Sequence, residues 1–235
     1  MTICSKVVFW VAAVPSLICL CCISSPKSNV SVSESQHNAV DVQAADSLSH
    51  LFDSLPGHLR MDLDSWTDYY QSRDSAFSFS RFNISRNGKA NFLAVGTFDP
   101  NETDERMLAL NPDKTFGITY EGYFIDLTEI PEDEIGFDDS HNINLYDFDD
   151  HRIYRLHFKG ISESTDEVIW LDNERVVLLG AANTGLDEWI PYVQVTNIKD
   201  SVSRTYSYSN SIKGVSPFDF LIKRLRLKQN GRPPQ

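Results

Sequence analysis

Residues 168–180 read Val-Ile-Trp-Leu-Asp-Asn-Glu-Arg-Val-Val-Leu-Leu-Gly. Two apolar runs of strand length flank the polar triplet Asp172-Asn173-Glu174. Val168 to Leu171 and Arg175 to Gly180 are rich in β-branched residues and too short for helices, so the stretch reads as a β-hairpin. The pattern recurs on both sides. Met107 to Leu110 and Thr115 to Tyr120 flank Asn111-Pro112-Asp113-Lys114, and Asn142 to Tyr146 and Arg152 to Phe158 flank Asp147-Phe148-Asp149-Asp150. Tyr123 to Leu127 adds a strand, and Tyr192 to Asn197 pairs with Arg204 to Tyr208. Upstream, Phe77, Phe79 and the run Ala90 to Phe98 read as strands around Asn87-Gly88, whose tolerance of positive φ suits a hairpin turn. Short strands at this spacing, without long helices between them, predict an all-β antiparallel meander, open or sandwich-like.

Short helices are expected at both ends of this meander. Leu48, Leu51, Phe52 and Leu55 follow helical spacing and Pro56-Gly57 closes the pattern, while Asp64 to Gln71 is a second helical candidate whose aromatic residues Trp66, Tyr69 and Tyr70 would suit a strand as well. At the other end Ser216 caps a helix whose stripe is Phe218, Leu221, Ile222 and Leu225.

A repeat runs through the β region. Trp170 to Val177 can be laid on Ala109 to Phe116, and Val193 to Asn197 on Ile143 to Asp147. These paired hairpins with acidic or Asn turns resemble the blades of β-propeller proteins. The resemblance covers two blade-like units over residues 107 to 208. A closed ring takes at least four blades of about 40 residues, more than the chain from residue 76 holds, so an open arrangement is expected.

All four cysteines, Cys4, Cys19, Cys21 and Cys22, lie in the first 22 residues. A disulfide scaffold, a thiolate zinc site and a cysteine nucleophile are therefore excluded beyond them. Lys6 precedes the apolar run Val7 to Leu20, which at about 14 residues is too short to span a bilayer and reads as a signal-peptide core. Leu17-Ile18-Cys19-Leu20-Cys21-Cys22 resembles the lipobox of bacterial lipoproteins. The resemblance implies acylation of Cys22, with Cys21 as the alternative, and attachment to a membrane of the bacterial cell envelope, at the outer membrane or its periplasmic face. An ordinary cleaved signal peptide is the competing reading. The organisation expected is a signal peptide over 1–21, a flexible polar tether over 22–45, a single β-rich domain with flanking helices over 46–229 and a disordered tail over 230–235.

The chain carries 21 Lys and Arg against 33 Asp and Glu, a net charge of -12, which excludes a nucleic-acid binder held by bulk positive charge. Residues 22–212 hold 14 of those bases and 32 of the acids, so an acidic body precedes a basic end.

Glu129 to Asp150 contains nine acids and no Lys or Arg. Asp147, Asp149 and Asp150 are candidate calcium ligands, although the Gly and distal Glu of a twelve-residue calcium loop are missing; an acidic solvated loop is the plainer account. His141, His151 and His157 lack zinc-site spacing. Trp170, Trp189 and Tyr192 concentrate aromatic surface in the last β region, where they could stack on a sugar or anchor a protein partner, or else pack the core. No nucleophile motif or phosphate-cradling loop occurs. The functional expectation is a lipid-anchored, non-enzymatic binding or scaffolding module for an envelope protein or glycan, with no cofactor unless calcium. The alternatives are an envelope hydrolase acting on glycan or peptide and a calcium-dependent adhesion module.

Overall fold

The computed structural model describes residues 48–53, 55–103, 108–120, 140–160, 162–185 and 187–216, together with 220, 222 and 224. Among them the architecture is antiparallel β. Helix α1 (Gly57–Gln71) and a 3₁₀ turn (Phe79–Arg81) precede eleven strands: β1 (Phe82–Lys89), β2 (Leu93–Thr97), β3 (Ala109–Leu110), β4 (Phe116–Tyr120), β5 (Ser140–Asp147), β6 (Arg152–Gly160), β7 (Glu163–Trp170), β8 (Arg175–Asn183), β9 (Glu188–Asn197), β10 (Val202–Tyr208) and β11 (Ile212–Lys213). Sheet A has the order β1-β10-β9-β8-β7, with β11 also on β9; sheet B has the order β2-β6-β5-β4-β3. No closed barrel or propeller ring forms among the described residues.

Three sequence expectations are corrected. Asn87-Gly88 is not a turn: it lies inside β1, opposite Arg204 and Ser203. The chain runs on through residues 90–92 and enters the other sheet as β2, so β1 and β2 are edge strands of different sheets rather than a hairpin. Phe77 and Phe79 precede β1 and belong to no strand. Pro56-Gly57 opens a helix instead of only closing one. Proline's fixed φ matches helix entry, the Pro56 carbonyl accepts from Arg60 N at 2.9 Å, and α1 begins seven residues before Asp64.

The repeat is carried by register. Adding 50 to each residue number of the pairs Asp147↔Arg152, Tyr146↔Ile153, Leu145↔Tyr154 and Asn144↔Arg155 gives four β9–β10 pairs. On β4 and β8 the matching offset is 59, since Phe116↔Asp147 and Ile118↔Leu145 map onto Arg175↔Asn197 and Val177↔Val195. Trp170 is therefore the counterpart of Leu110, one position from the Ala109 that sequence alignment alone suggests. The turns agree as well. Asp147 Oδ1 accepts from the backbone N–H of residues 149 and 150, Asn197 Oδ1 from those of 199 and 200, and His151 and Ser201 both adopt positive φ.

The sheets stack face to back. Val177, Val193 and Val195 of sheet A pack toward the helices in one core, with Leu48, Phe52, Leu63, Trp66, Tyr70 and Phe77. Their counterparts Ile118, Ile143 and Leu145 of sheet B pack in a second core against the back of sheet A, through Val168, Trp170, Val176 and Leu178. Strand β8 is thus buried on both faces, which is why Val176 to Leu179 reads as an unbroken apolar run. The described residues of the C-terminal helix straddle the β7 edge: Phe220 joins the helix-side core and Ile222 the core between the sheets.

Candidate functional site

Strand β6 departs from its counterpart β10 at one residue. Arg155 pairs with Asn144 but His157 with Ile143, so Leu156 is an inserted bulge residue. Beyond the bulge, His157 takes the pairing position that Tyr206 holds in sheet A, opposite Val193. Lys159 follows two residues later, and strand alternation sends both side chains toward the back of sheet A. There β9 and β10 present Tyr192, Gln194, Thr205 and Ser207, and β1 brings Ser85 and Arg86. The result is a polar cleft of about 250 Å³ between the sheets.

Lys159 is the centre of the cleft. It is 8% exposed, and its Nζ donates to Glu163 Oε2 at 2.6 Å and lies 4.7 Å from the centroid of the Tyr192 ring. Burial pulls the amine down, but Tyr192 and Glu163 together outweigh it and hold the group above the ordinary lysine range. Tyr192 donates to the Ser164 carbonyl at 2.6 Å, and burial raises its phenol. The ring can lie there because its cross-strand partner is Gly180: a Cβ at that position would come within 2.1 Å of Ser164 O and 2.5 Å of the Tyr192 hydroxyl.

His157 faces Gln194, with Nε2 of each side chain 2.7 Å apart. Burial pushes its imidazole down to about 4, Lys159 adds to this, and Glu163 opposes it. The ring is therefore neutral at pH 7, and Gln194 as donor makes His157 Nε2 the acceptor. Gln194 also donates to Ser203 Oγ at 2.8 Å, and Ser203 meets Thr196 Oγ1 at 3.1 Å. Phe158, between them in sequence, is turned by the same alternation to the other face of the strand, where it is 61% exposed at the rim of the cleft. The site thus offers an ammonium, a carboxylate, a neutral imidazole, hydroxyls and one exposed ring. That set recognises a polar, hydroxyl-bearing molecule with an apolar face.

A second polar constellation holds the helical layer. Asp166, the bulge residue of β7, is fully buried, and its carboxylate accepts from Trp66 Nε1, Tyr70 OH and Ser164 Oγ, each at 2.9 Å. Burial pushes it up to about 6 against the pull of those bonds. Its neighbour Glu167 accepts from Arg224 Nε at 2.5 Å, and Arg224 also pairs with Asp62 of α1. This network ties α1 and the C-terminal helix to sheet A.

The sequence-derived candidates are dispersed. Trp170 is buried between the sheets and donates to Ala109 O at 2.7 Å, whereas Trp189 is buried in the helix-side core. Tyr192 alone lines the cleft, so the three form no common surface. Asp147 turns its Oδ1 into its own turn, and no cluster of three His, Cys, Asp or Glu placed to hold a metal occurs among the described residues. Cys21 and Cys22, the acids 129–139 and the side chain of His141 lie outside what is described. Lys159, Glu163, Arg86 and Gln194 escaped the sequence reading. Only Lys159 carried a signal, the His-x-Lys pair at alternate positions of one strand.

Among the described residues no helix is long and apolar enough to cross a membrane. Comparison with protein families, curated proteins and solved structures finds no match for the chain.

Proposed function

We propose that the protein is a lipid-anchored binding module of the bacterial cell envelope, held through acylated Cys22, or Cys21, and a polar tether. The domain consists of two blade-like sheets, and its ligand is a glycan segment bound in the cleft between them. The carrying observation is Lys159 paired to Glu163 over Tyr192, with Phe158 exposed beside them. A buried lysine is expensive to keep charged, and a site that keeps one at an open cleft holds a fixed donor ready. Phe158 supplies the face on which a pyranose ring stacks. Hydrolysis of a glycoside ordinarily needs two carboxylates. The described lining has Glu163 alone, already engaged by Lys159, which supports binding over an envelope hydrolase.

Binding is tested with immobilised envelope oligosaccharides and the full chain in non-ionic detergent. Phe158→Ala is expected to weaken retention at least about tenfold at unchanged melting temperature, and Glu163→Gln to weaken it likewise while lowering the melting temperature, because it strips the buried Lys159 of its partner. Retention equal to wild type in both variants rejects the cleft as the glycan site. The anchor is tested separately with a clickable fatty acid, which should label the wild type and not a chain with Cys21 and Cys22 both replaced by Ala.

A further inference from the structure

At the turn end of the two sheets the core stops short of the surface and leaves a second cavity, of about 430 Å³. Three aromatic side chains from three places border it: Phe92 of the β1–β2 link, Phe116 of β4 and Tyr154 of β6, with Leu145 and Ile198 completing the wall. All three rings are only partly buried. Asp147, Glu174 and Lys199 stand at the same cavity.

The repeat provides an internal control. On the helix-facing side of sheet A lies a cavity of about 340 Å³ bordered by Arg175, Val195, Asn197 and Arg204. By register these are the counterparts of Phe116, Leu145, Asp147 and Tyr154. At these four matched positions sheet A has two guanidinium groups and an amide where sheet B has two aromatic rings and a carboxylate, although Asp200 and Tyr206 also border the sheet A cavity.

Ring faces carry the negative end of a quadrupole and attract cations, most effectively those whose hydration is easily given up. The Lys199 Nζ sits 2.8 Å from Glu174 Oε1, but the side chains are 69% and 48% exposed, so the pair is weak and an incoming cation can replace the lysine. Arg152, near Tyr154, brings a second base, which Asp150 and Asp147 offset. Of the charged residues that line the cavity, Asp147 and Glu174 outnumber Lys199.

We propose that this cavity is a second binding site, specific for a small organic cation of the alkylammonium class. The alkyl groups rest on Phe92, Phe116 and Tyr154, and the charge faces Asp147 and Glu174. The site is separate from the glycan cleft and does not depend on it.

The test is calorimetric titration of the full chain in non-ionic detergent with choline and, in parallel, with 3,3-dimethyl-1-butanol, the neutral isostere in which carbon replaces nitrogen. Choline is expected to bind one to one, at least about tenfold tighter than the isostere. Phe116→Leu and Tyr154→Leu keep the wall apolar but remove a ring, and each should weaken choline about fivefold or more. Asp147→Asn should weaken it too, and Phe158→Ala should leave it unchanged. Three results overturn the proposal: absence of heat at about 10 mM choline, equal affinity for the neutral isostere, and wild-type choline affinity in both ring variants at native melting temperature. Equal affinity would make the cavity merely apolar.

Discussion

Sheet A and sheet B share strand order, register and turn chemistry, yet they bury different things. On its helix-facing side, sheet A ends β10 in Tyr206 and Tyr208, which pack with Phe77, Phe82 and Trp66 into a closed aromatic core. Sheet B, at the position of Tyr206, has His157, followed by exposed Phe158 and the Lys159–Glu163 pair, and the space beside them stays open. The difference comes from one inserted residue and a change of partner. Helices can wrap a sheet face and close over it, whereas a second sheet meets it as a rigid wall and leaves wedges at the sides. Backbone pairing was held constant while side chains diverged, and the candidate site lies where the repeat breaks.

The largest expected effect comes from a methyl group. Gly180→Ala puts a Cβ 2.1 Å from the Ser164 carbonyl and 2.5 Å from the Tyr192 hydroxyl, so backbone or ring must move. The variant should lose about 3 kcal/mol or more in chemical denaturation and disturb the cleft with it. Gly117→Ala in sheet B meets only the side-chain tips and Cβ of Leu108 and Leu110 at 3.1 Å or beyond. Those side chains can shift, so the cost should stay within about 1 kcal/mol. Equal losses would mean that the two sheets are packed alike after all.

The second comparison is made by pH. Asp166, between sheet A and the helices, is raised to about 6 in the folded state by burial, so its contribution is largest at low pH and is lost as pH rises through 6. His157, between the sheets, is lowered to about 4, so its contribution is present above the ordinary histidine value and is lost as pH falls toward 4. Across pH 4 to 6 the two slopes oppose, each worth up to about 3 kcal/mol. Relative to wild type, Asp166→Asn should therefore lose more stability on acidification, and His157→Gln should lose less or gain. Parallel pH profiles for all three proteins would remove both groups from the account.

The fold class was legible because hairpin turns and strand alternation are local. The offset of 50 was visible in Ile143 to Asp147 and Val193 to Asn197 because both sides keep the same alternation and the same Asx turn. Asn87-Gly88 misled for a complementary reason: the dipeptide permits a turn but does not require one, and pairing of β1 with β10, more than a hundred residues away, overrides it. The cleft was not legible. Lys159 and Glu163 meet across the β6–β7 turn, but Tyr192, Gln194 and Arg86 reach them through long-range pairing that periodicity does not encode. The aromatic candidates failed to converge because Trp170 and Trp189 sit on opposite faces of one sheet, separated by which core each strand position serves.

A smaller effect separates the two tryptophans that hold sheet A to its neighbours. Trp66→Phe removes a donor from a buried carboxylate and should cost about 2 kcal/mol, because hydrogen bonds to charged groups are the stronger kind. Trp170→Phe removes a donor from the Ala109 carbonyl and should cost about 1 kcal/mol. The order of the two midpoints in urea checks this, and a reversed order would mean that the sheet–sheet contact dominates the helix contact.

The smallest effect bears most directly on the repeat. Asp147 and Asn197 cap equivalent turns with the same oxygen, the same pair of N–H donors and the same left-handed residue four positions on. If turn chemistry is what the two sheets share, Asp147→Ala and Asn197→Ala should each cost about 1 kcal/mol and agree within about 0.5 kcal/mol, as caps of this kind do. A wider gap between the two in urea denaturation would mean that the turns are not equivalent, and that the register they share arises from the strands rather than from the caps.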